Sequence, residues 1–598
     1  MSFYDGLAFV PGWESNFTWA LILAFIVCYF LSFAMGANDC ANSYGCVVGA
    51  GVLSLWQVYL IATFTETSGA ALLGYRVTET MRKSVIDLDM YQFLAIGSNQ
   101  SSKTISILYN FSSCADWRNA SLLSTAHLTC HRYTEPSIII GYFCALVSTA
   151  IWLLAATLFK MPVSTTQSSV GAVIGFSIVL KGFNGIHWLK IGSICLSWVA
   201  SPLIAGFLGS VFYLTIKGLC LDRKHPFETS LRFYPAIFFF CFFVNGLAIF
   251  NGGSKYLHLD QLSWWQALLC SAGLAGGLSL IAHFFLVPIV RRKATALYEE
   301  DLIKGIEEQA KELKSPVIEF AKKLSRAGSR AASRAGSPSK TPRQLPSSIS
   351  APIFLETLHS AESTPRVVNK DNLNGVQPQA SQSELVTPTA LSRVGGGQPA
   401  TVPVDPQSLS DKLTSLLRPM TEDPKAIKVY HYLQVISACF LSFSHGSNDT
   451  ANSVAPLVGL WITWESGWAG TEISNDWRSE LIITYGALAM VSGLWVLGHK
   501  VIQTIGRDIA EISAPVGFSI EMACAFTIIF GSMLGIPLST THCMVGGVAM
   551  AGWVRNRQKI SLKLMSGIAL TWVVTIPATC LFSAILTYLL AHFYLGVV

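Results

Sequence analysis

Charge is scarce in this chain. Asp, Glu, Lys and Arg together make up 13% of its 598 residues, against roughly 25% in a soluble domain. The shortage excludes an ordinary water-facing surface. Several apolar runs instead reach the roughly 20 residues needed to span a bilayer, so the chain reads as a polytopic membrane protein. The charge that exists is uneven: about half of the 41 Lys and Arg fall between Arg291 and Lys428. The remainder is nearly neutral, which removes nucleic acid as a partner. No small-residue cleavage site follows the first apolar run, and that run is too long for a secretory leader, so no signal peptide is expected. No metal-ligand cluster or nucleophile–base pair stands out, which argues against an enzyme. Most of the 14 Cys lie in apolar runs, where they read as small packing residues. Cys114 and Cys130 differ, because they sit in a polar loop.

What is present is a pair of phrases, each written twice. Gly36-Ala37-Asn38-Asp39-Cys40-Ala41-Asn42-Ser43 ends an apolar run, and Gly446-Ser447-Asn448-Asp449-Thr450-Ala451-Asn452-Ser453 ends another. Downstream of the first comes Pro162-Val163-Ser164-Thr165-Thr166, and downstream of the second Pro537-Leu538-Ser539-Thr540-Thr541. Two motifs repeated in the same order mean an internal duplication.

In chain order, an apolar segment broken by the first Asn-Asp phrase precedes a second, about Leu53 to Tyr75, that contains Glu66. The polar stretch from Arg76 to Glu135 holds sequons at Asn99, Asn110 and Asn119 beside Cys114 and Cys130. Sequons clustered with two Cys predict an external, glycosylated and oxidised loop. Two apolar arms then meet at Pro162 and read as a re-entrant hairpin. Three ordinary spans follow, and a hydrophilic stretch whose Ser-Arg-Ala repeats from Ser325 to Ser337 suit basophilic kinases. That stretch reads as largely disordered. The second half repeats the plan: a span broken by its Asn-Asp phrase, another span, a hairpin bearing Glu521 and hinged at Pro537, and a final span. The division is therefore 1–180, first repeat; 181–293, linking spans; 294–427, cytoplasmic loop; and 428–598, second repeat with the final span. With the N-terminus outside, the basic clusters at Lys217 to Arg232, Arg291 to Lys293 and Arg555 to Lys559 all fall on the cytoplasmic side. The two Asn-Asp segments then run in opposite directions, which is an inverted repeat of the kind found in secondary transporters. Arg82 and Lys83 are the exception, falling outside.

The motifs suggest a chemistry. A helix N-terminus attracts anions through its unpaired N–H groups, and Ser164, Thr165, Thr166, Ser539, Thr540 and Thr541 would add donors. N-capping is the plainer use of such residues, but two copies, each paired with an intramembrane Asn-Asp phrase, favour an anion site shared with Asp39 and Asp449. Oxygens of Asn38, Asn42, Asn448 and Asn452, with Glu66 and Glu521, suit a hard cation such as Na⁺. Interhelical hydrogen bonding is the alternative use of these residues. No Arg or Lys lies in a repeated motif, so an anion drawn there needs its charge offset by bound cations, and coupling to Na⁺ or H⁺ follows.

These doubled phrases, split by a long polar loop, resemble the PiT-type inorganic phosphate transporters, solute carrier family 20. The resemblance spans about Trp19 to Tyr75, Ser137 to Val290 and Tyr430 to the C-terminus. It implies an all-α membrane protein of about twelve transmembrane segments, with both termini outside. It also implies Na⁺-coupled uptake of inorganic phosphate at the plasma membrane and, in some members, use as a virus receptor. Family acids match Glu66 and Glu521, and a family His matches His445. Where the first hairpin often carries His, this chain has Gln167, and only His542 remains. Na⁺ is the implied coupling ion, and no other cofactor is expected. The expected partners are inorganic phosphate, Na⁺, membrane lipid and kinases acting on 325–337, with a homodimer left open. H⁺ coupling and a non-transporting phosphate sensor on the same scaffold are the alternative functions.

Overall fold

A computed structural model describes residues 13–91, 135–159, 163–252, 259–305, 307–308, 422–466, 477–499, 502, 512–556 and 562–595. Asn99, Asn110, Asn119, Cys114, Cys130 and the Ser-Arg repeats of 325–337 lie outside them. The chain divides into two compact units, one of Met1–Leu302 with Gln407–Val598, the other of Ile303–Pro406.

Among its described residues the first unit is built of helices joined by short turns, with no strand and one isolated bridge between Ile86 and Ile186. Its helices are α1 (Trp13–Asn38), α2 (Cys40–Gly49), α3 (Leu55–Lys83), α4 (Glu135–Leu158), α5 (Thr165–Lys181), α6 (Trp188–Ile216), α7 (Pro226–Gly252) and α8 (Trp264–Ile281). After the long loop come α9 (Pro424–Ser466), α10 (Trp477–Leu497), α11 (Ala514–Met533), α12 (Thr540–Asn556) and α13 (Leu562–Leu595). Nine helices among the described residues are long and apolar enough to cross a membrane. The surface fits that role. Ile22 and Phe30 of α1, Leu196 and Phe207 of α6, Leu269 of α8 and Leu581 of α13 all point outward. The interior holds Asp39, Glu66, Asp449 and Glu521, each no more than 2% exposed. An apolar exterior around a polar interior is expected when the solvent is lipid.

Local sequence sets several helix starts. Gln57 accepts from the Ser54 N–H at 2.9 Å and Gln266 from the Ser263 N–H at 2.9 Å, closing the first turns of α3 and α8. The Ser164 hydroxyl accepts from the Gln167 N–H, and that of Ser539 from the His542 N–H, each at 3.3 Å. Glycines set a close helix crossing beside the acids. A Cβ on Gly446 would collide with the backbone oxygen of Glu66, and one on Gly69 with that of Phe443. These reciprocal contacts bring α3 and α9 backbone to backbone, as small residues permit in membrane proteins.

Two sequence expectations need correcting. The first Asn-Asp segment does break: α1 ends at Asn38 and α2 restarts at Cys40, with the Asn42 N–H bonding the Asp39 carbonyl in a tightened turn. The second does not, because α9 runs unbroken through its phrase. Asp449 is braced by His445 one turn earlier, at 3.0 Å. The residue one turn before Asp39 is Met35, whose side chain offers no such bond. Likewise, Arg76 to Lys83 are not the start of a polar loop but the last two turns of α3. There Arg82 is fully buried, and Glu79 bonds both Arg82 at 2.9 Å and Lys83 at 2.6 Å. The two cations that strain the charge count thus share a carboxylate.

Candidate functional site

The Ser-Thr-Thr tips divide their hydroxyls between three tasks. Ser164 and Ser539 are spent on capping. Thr165 donates to Asp39 Oδ2, and Thr540 donates to Asp449 Oδ2 at 2.6 Å. Thr166 and Thr541 cross to the other half. Thr166 donates to the Leu538 carbonyl at 3.1 Å and Thr541 to the Val163 carbonyl at 3.3 Å. The outer Asn of each phrase follows the same crossing: Asn42 donates to Thr541 at 2.9 Å and Asn452 to Thr166 at 3.2 Å. The inner Asn holds its own tip. Asn38 Oδ1 accepts from the Val163 N–H at 3.4 Å, and Asn448 donates to the Leu538 carbonyl at 2.8 Å. All twelve residues named from the two phrases and two tips therefore lie in one buried cluster, with nearly every bond made twice.

The acids beyond the phrases separate. Glu66 joins the cluster through His445, whose Nδ1 lies 2.7 Å from Glu66 Oε2 while its Nε2 faces Asp449 Oδ2. The two ring nitrogens of His445 thus stand between the two carboxylates, one facing each. Glu521 stands apart. It accepts from Ser437 at 2.5 Å and Gln434 at 3.2 Å, and Ser437 precedes Asn448 by three turns of α9, about 16 Å. Gln434 and Ser437 carried no motif that sequence reasoning could detect. Ser442, which donates to Glu66 at 2.8 Å, was signalled only by its spacing three residues before His445.

Several fully buried oxygens in the cluster have no partner among the described residues: Asp39 Oδ1, Asn42 Oδ1 and Asn452 Oδ1, with Gln167 Oε1 beside the first tip. Buried polar atoms are ordinarily bonded, and three acceptors left over in one place suit a cation. The tips offer the opposite character. The first N–H groups of α5 and α12 have no carbonyl one turn back to bond, and both helices carry their partial positive charge into the cluster. The two tips differ at one position: His542 bonds the Trp198 carbonyl at 3.0 Å and packs on Trp572, whereas its counterpart is Gln167.

A helical body with a lipid-facing exterior, enclosing a buried cluster of acids, amides and helix N-termini, is that of a multi-pass membrane protein. A family model described as the phosphate transporter family matches residues 35–583, and the chain belongs to that family, whose members are transporters rather than enzymes. Among its relatives are sodium-dependent phosphate transporter 2 of Bos taurus, 29% identical over 96% of this chain and 98% of the relative, and sodium-dependent phosphate transporter 1-A of Danio rerio, 28% identical over 95% and 94%. A solved structure titled "The sodium-dependent phosphate transporter" shares the fold, with a TM-score of 0.63 and 21% identity over 96% of this chain and 98% of that one.

Proposed function

We propose that the chain is a Na⁺-coupled symporter of inorganic phosphate, working by alternating access between two inverted repeats, with α4–α5 and α11–α12 as re-entrant hairpins in a plan of about twelve segments. The observation that carries this reading is the cross-bonding of the two halves: Asn42 on Thr541 and Asn452 on Thr166. It makes one site out of two tips and two acidic phrases. The names of the full-length relatives support the substrate and the ion.

Phosphate takes the helix N-termini, at the N–H groups of Thr165, Thr166, Thr540 and Thr541. Na⁺ takes the unpartnered oxygens of Asp39, Asn42 and Asn452, with Asn38, Asn448 and Glu66 in supporting places, while Glu521, bonded to Ser437 and Gln434, is a separate Na⁺ candidate. Asp39, Glu66 and Asp449 make the site acidic, and no Lys or Arg lies in either repeated phrase. An anion is therefore repelled until cations arrive, and that ordering is the coupling. Each Thr that opens a tip helix bonds an Asp, so a cation that draws on the carboxylate also moves the phosphate donors.

The family resemblance implies the plasma membrane, and the basic clusters support a topology with both termini outside. The loop of Asn99, Asn110 and Asn119 is then external and glycosylated, with Cys114 bonded to Cys130, and the 294–427 loop is cytoplasmic and open to kinases. Purified protein in proteoliposomes should accumulate phosphate when a Na⁺ gradient is imposed. Accumulation driven equally by a proton gradient would assign H⁺ coupling. Phosphate binding without accumulation would assign a sensor.

A further inference from the structure

We propose that Tyr44, Thr65 and Ser442 are positioning residues for ion coupling: a buried hydroxyl relay that fixes the Glu66 carboxylate and ties the helix following the first Asn-Asp phrase to Asp449 in the second. The proposal rests on the transport reading above.

The relay is continuous. Tyr44 OH lies 3.0 Å from Thr65 Oγ1, and Thr65 Oγ1 lies 2.6 Å from Ser442 Oγ. Ser442 donates to Glu66 Oε1 at 2.8 Å, and Glu66 Oε2 faces His445, which faces Asp449. Three helices take part, α2, α3 and α9, and Tyr44 is wholly buried. With Ser442 donating to Glu66, the relay has one direction. Ser442 donates to the carboxylate, so its oxygen accepts from Thr65, whose oxygen accepts from Tyr44. Thr65 has one other acceptor within reach, the Ile61 carbonyl at 3.0 Å. Turning toward it breaks the relay. Hydroxyl chains aligned this way strengthen one another.

Packing alone does not call for the Tyr44 hydroxyl, since Phe fills the same space. Nor does the duplication supply it. Most bonds of the cluster occur twice, but the residue after the second phrase that corresponds to Tyr44 is Val454, and the one before the first phrase that corresponds to His445 is Met35. The relay therefore runs one way, from the first phrase to the acids around the second. Its starting helix is also held by Asn42, two residues before Tyr44, on Thr541 of the second tip. A shift of α2 when a cation binds Asp39 and Asn42 thus reaches Glu66, His445 and Asp449 through Tyr44.

The test uses full-length protein in proteoliposomes. Initial phosphate uptake is measured against Na⁺ at saturating phosphate, and against phosphate at saturating Na⁺. Ser442→Ala should raise the Na⁺ concentration for half-maximal uptake roughly tenfold, the scale of losing one hydrogen bond to a charged acceptor. Tyr44→Phe, two bonds further away, should raise it about threefold. The KM for phosphate should hold in both, and Ser442→Thr should restore the wild-type curve. The double variant Tyr44→Phe with Ser442→Ala should match Ser442→Ala alone, because both cut one chain. A parallel readout needs no transport: the Na⁺ concentration that raises the thermal unfolding midpoint of purified protein should shift in the same order. Unchanged Na⁺ dependence in Tyr44→Phe, or equal changes in Na⁺ and phosphate dependence, would overturn the relay. A wild type that accumulates no phosphate would overturn the transport reading instead, while the thermal shift still tests the relay as a determinant of Na⁺ binding.

Discussion

Asn42 donates to Thr541 at 2.9 Å across 499 positions of sequence. The same bond recurs between Asn452 and Thr166 at 3.2 Å. Neither half of the chain completes its own site. Each phrase reaches its own tip through Asp and the inner Asn, and the opposite tip through the outer Asn.

That arrangement makes the two aspartates a direct test of a shared site. Asp39→Asn or Asp449→Asn should each abolish Na⁺-driven uptake while leaving surface protein largely intact. Asn keeps the size of the side chain and removes its charge. Even ~3 kcal/mol of lost attraction in a low-dielectric site is over a hundredfold in cation affinity. If the acids only pack helices, Asn should substitute with a loss of roughly 1 kcal/mol. Initial uptake against Na⁺, normalised to surface protein, separates the two; near-normal curves in both variants would remove the shared site.

The crossing bonds predict coupling between the halves. Asn42→Ala and Thr541→Val should each lower uptake, and the double variant should be no worse than the more damaging single one. Residues in one network depart from additivity by roughly 0.5–3 kcal/mol. A double-mutant cycle on initial rates, at equal protein in the membrane, gives the number; strict additivity would mean that the two residues act independently.

Gly446→Ala should destabilise the protein by roughly 1–3 kcal/mol, the scale of overpacking, because the added methyl meets the Glu66 backbone rather than a side chain that can move. Gly273→Ala is the control, since a Cβ there meets nothing within 4 Å. Thermal unfolding in detergent should show a lower midpoint for the first and no fall for the second.

Glu422, just before α9, accepts from Tyr213 of α6 at 3.1 Å and from Arg555 at the end of α12 at 3.2 Å. Its side chain is 2% exposed and that of Arg555 18%. Glu422→Gln should cost roughly 1–3 kcal/mol, below a fully buried pair because Arg555 still reaches solvent. Glu228→Gln, which breaks the half-exposed pair with Arg291, should change the midpoint far less. Equal effects in the two variants would show that burial does not govern these pairs.

Deleting about Ser325 to Thr401 should leave Na⁺-driven uptake per surface molecule unchanged, since the repeated phrases and their partners all lie outside that stretch. Loss of uptake at normal surface level would make the loop part of the carrier.

The sequence by itself determined the helical class and showed the doubled phrases whose residues share the buried cluster. Apolar runs of span length fix the class, and two phrases written twice are legible wherever they fold. Helix limits followed where punctuation was strong, as at Trp188–Ile216 between a polar turn and a basic cluster. The continuity of α9 was not legible, because the phrase that breaks α1 at Asp39 reads alike in both copies. The contact of His445 with Asp449 has no counterpart at Met35. Tertiary structure alone decided which hydroxyl bonds which carboxylate, that Glu66 enters the cluster while Glu521 does not, and that Arg82 and Lys83 share Glu79. Periodicity assigns a residue to a helix face. A hydrogen bond also requires the partner helix, its register and its distance, and those come from the packing of α3 against α9, where two glycines let the backbones touch.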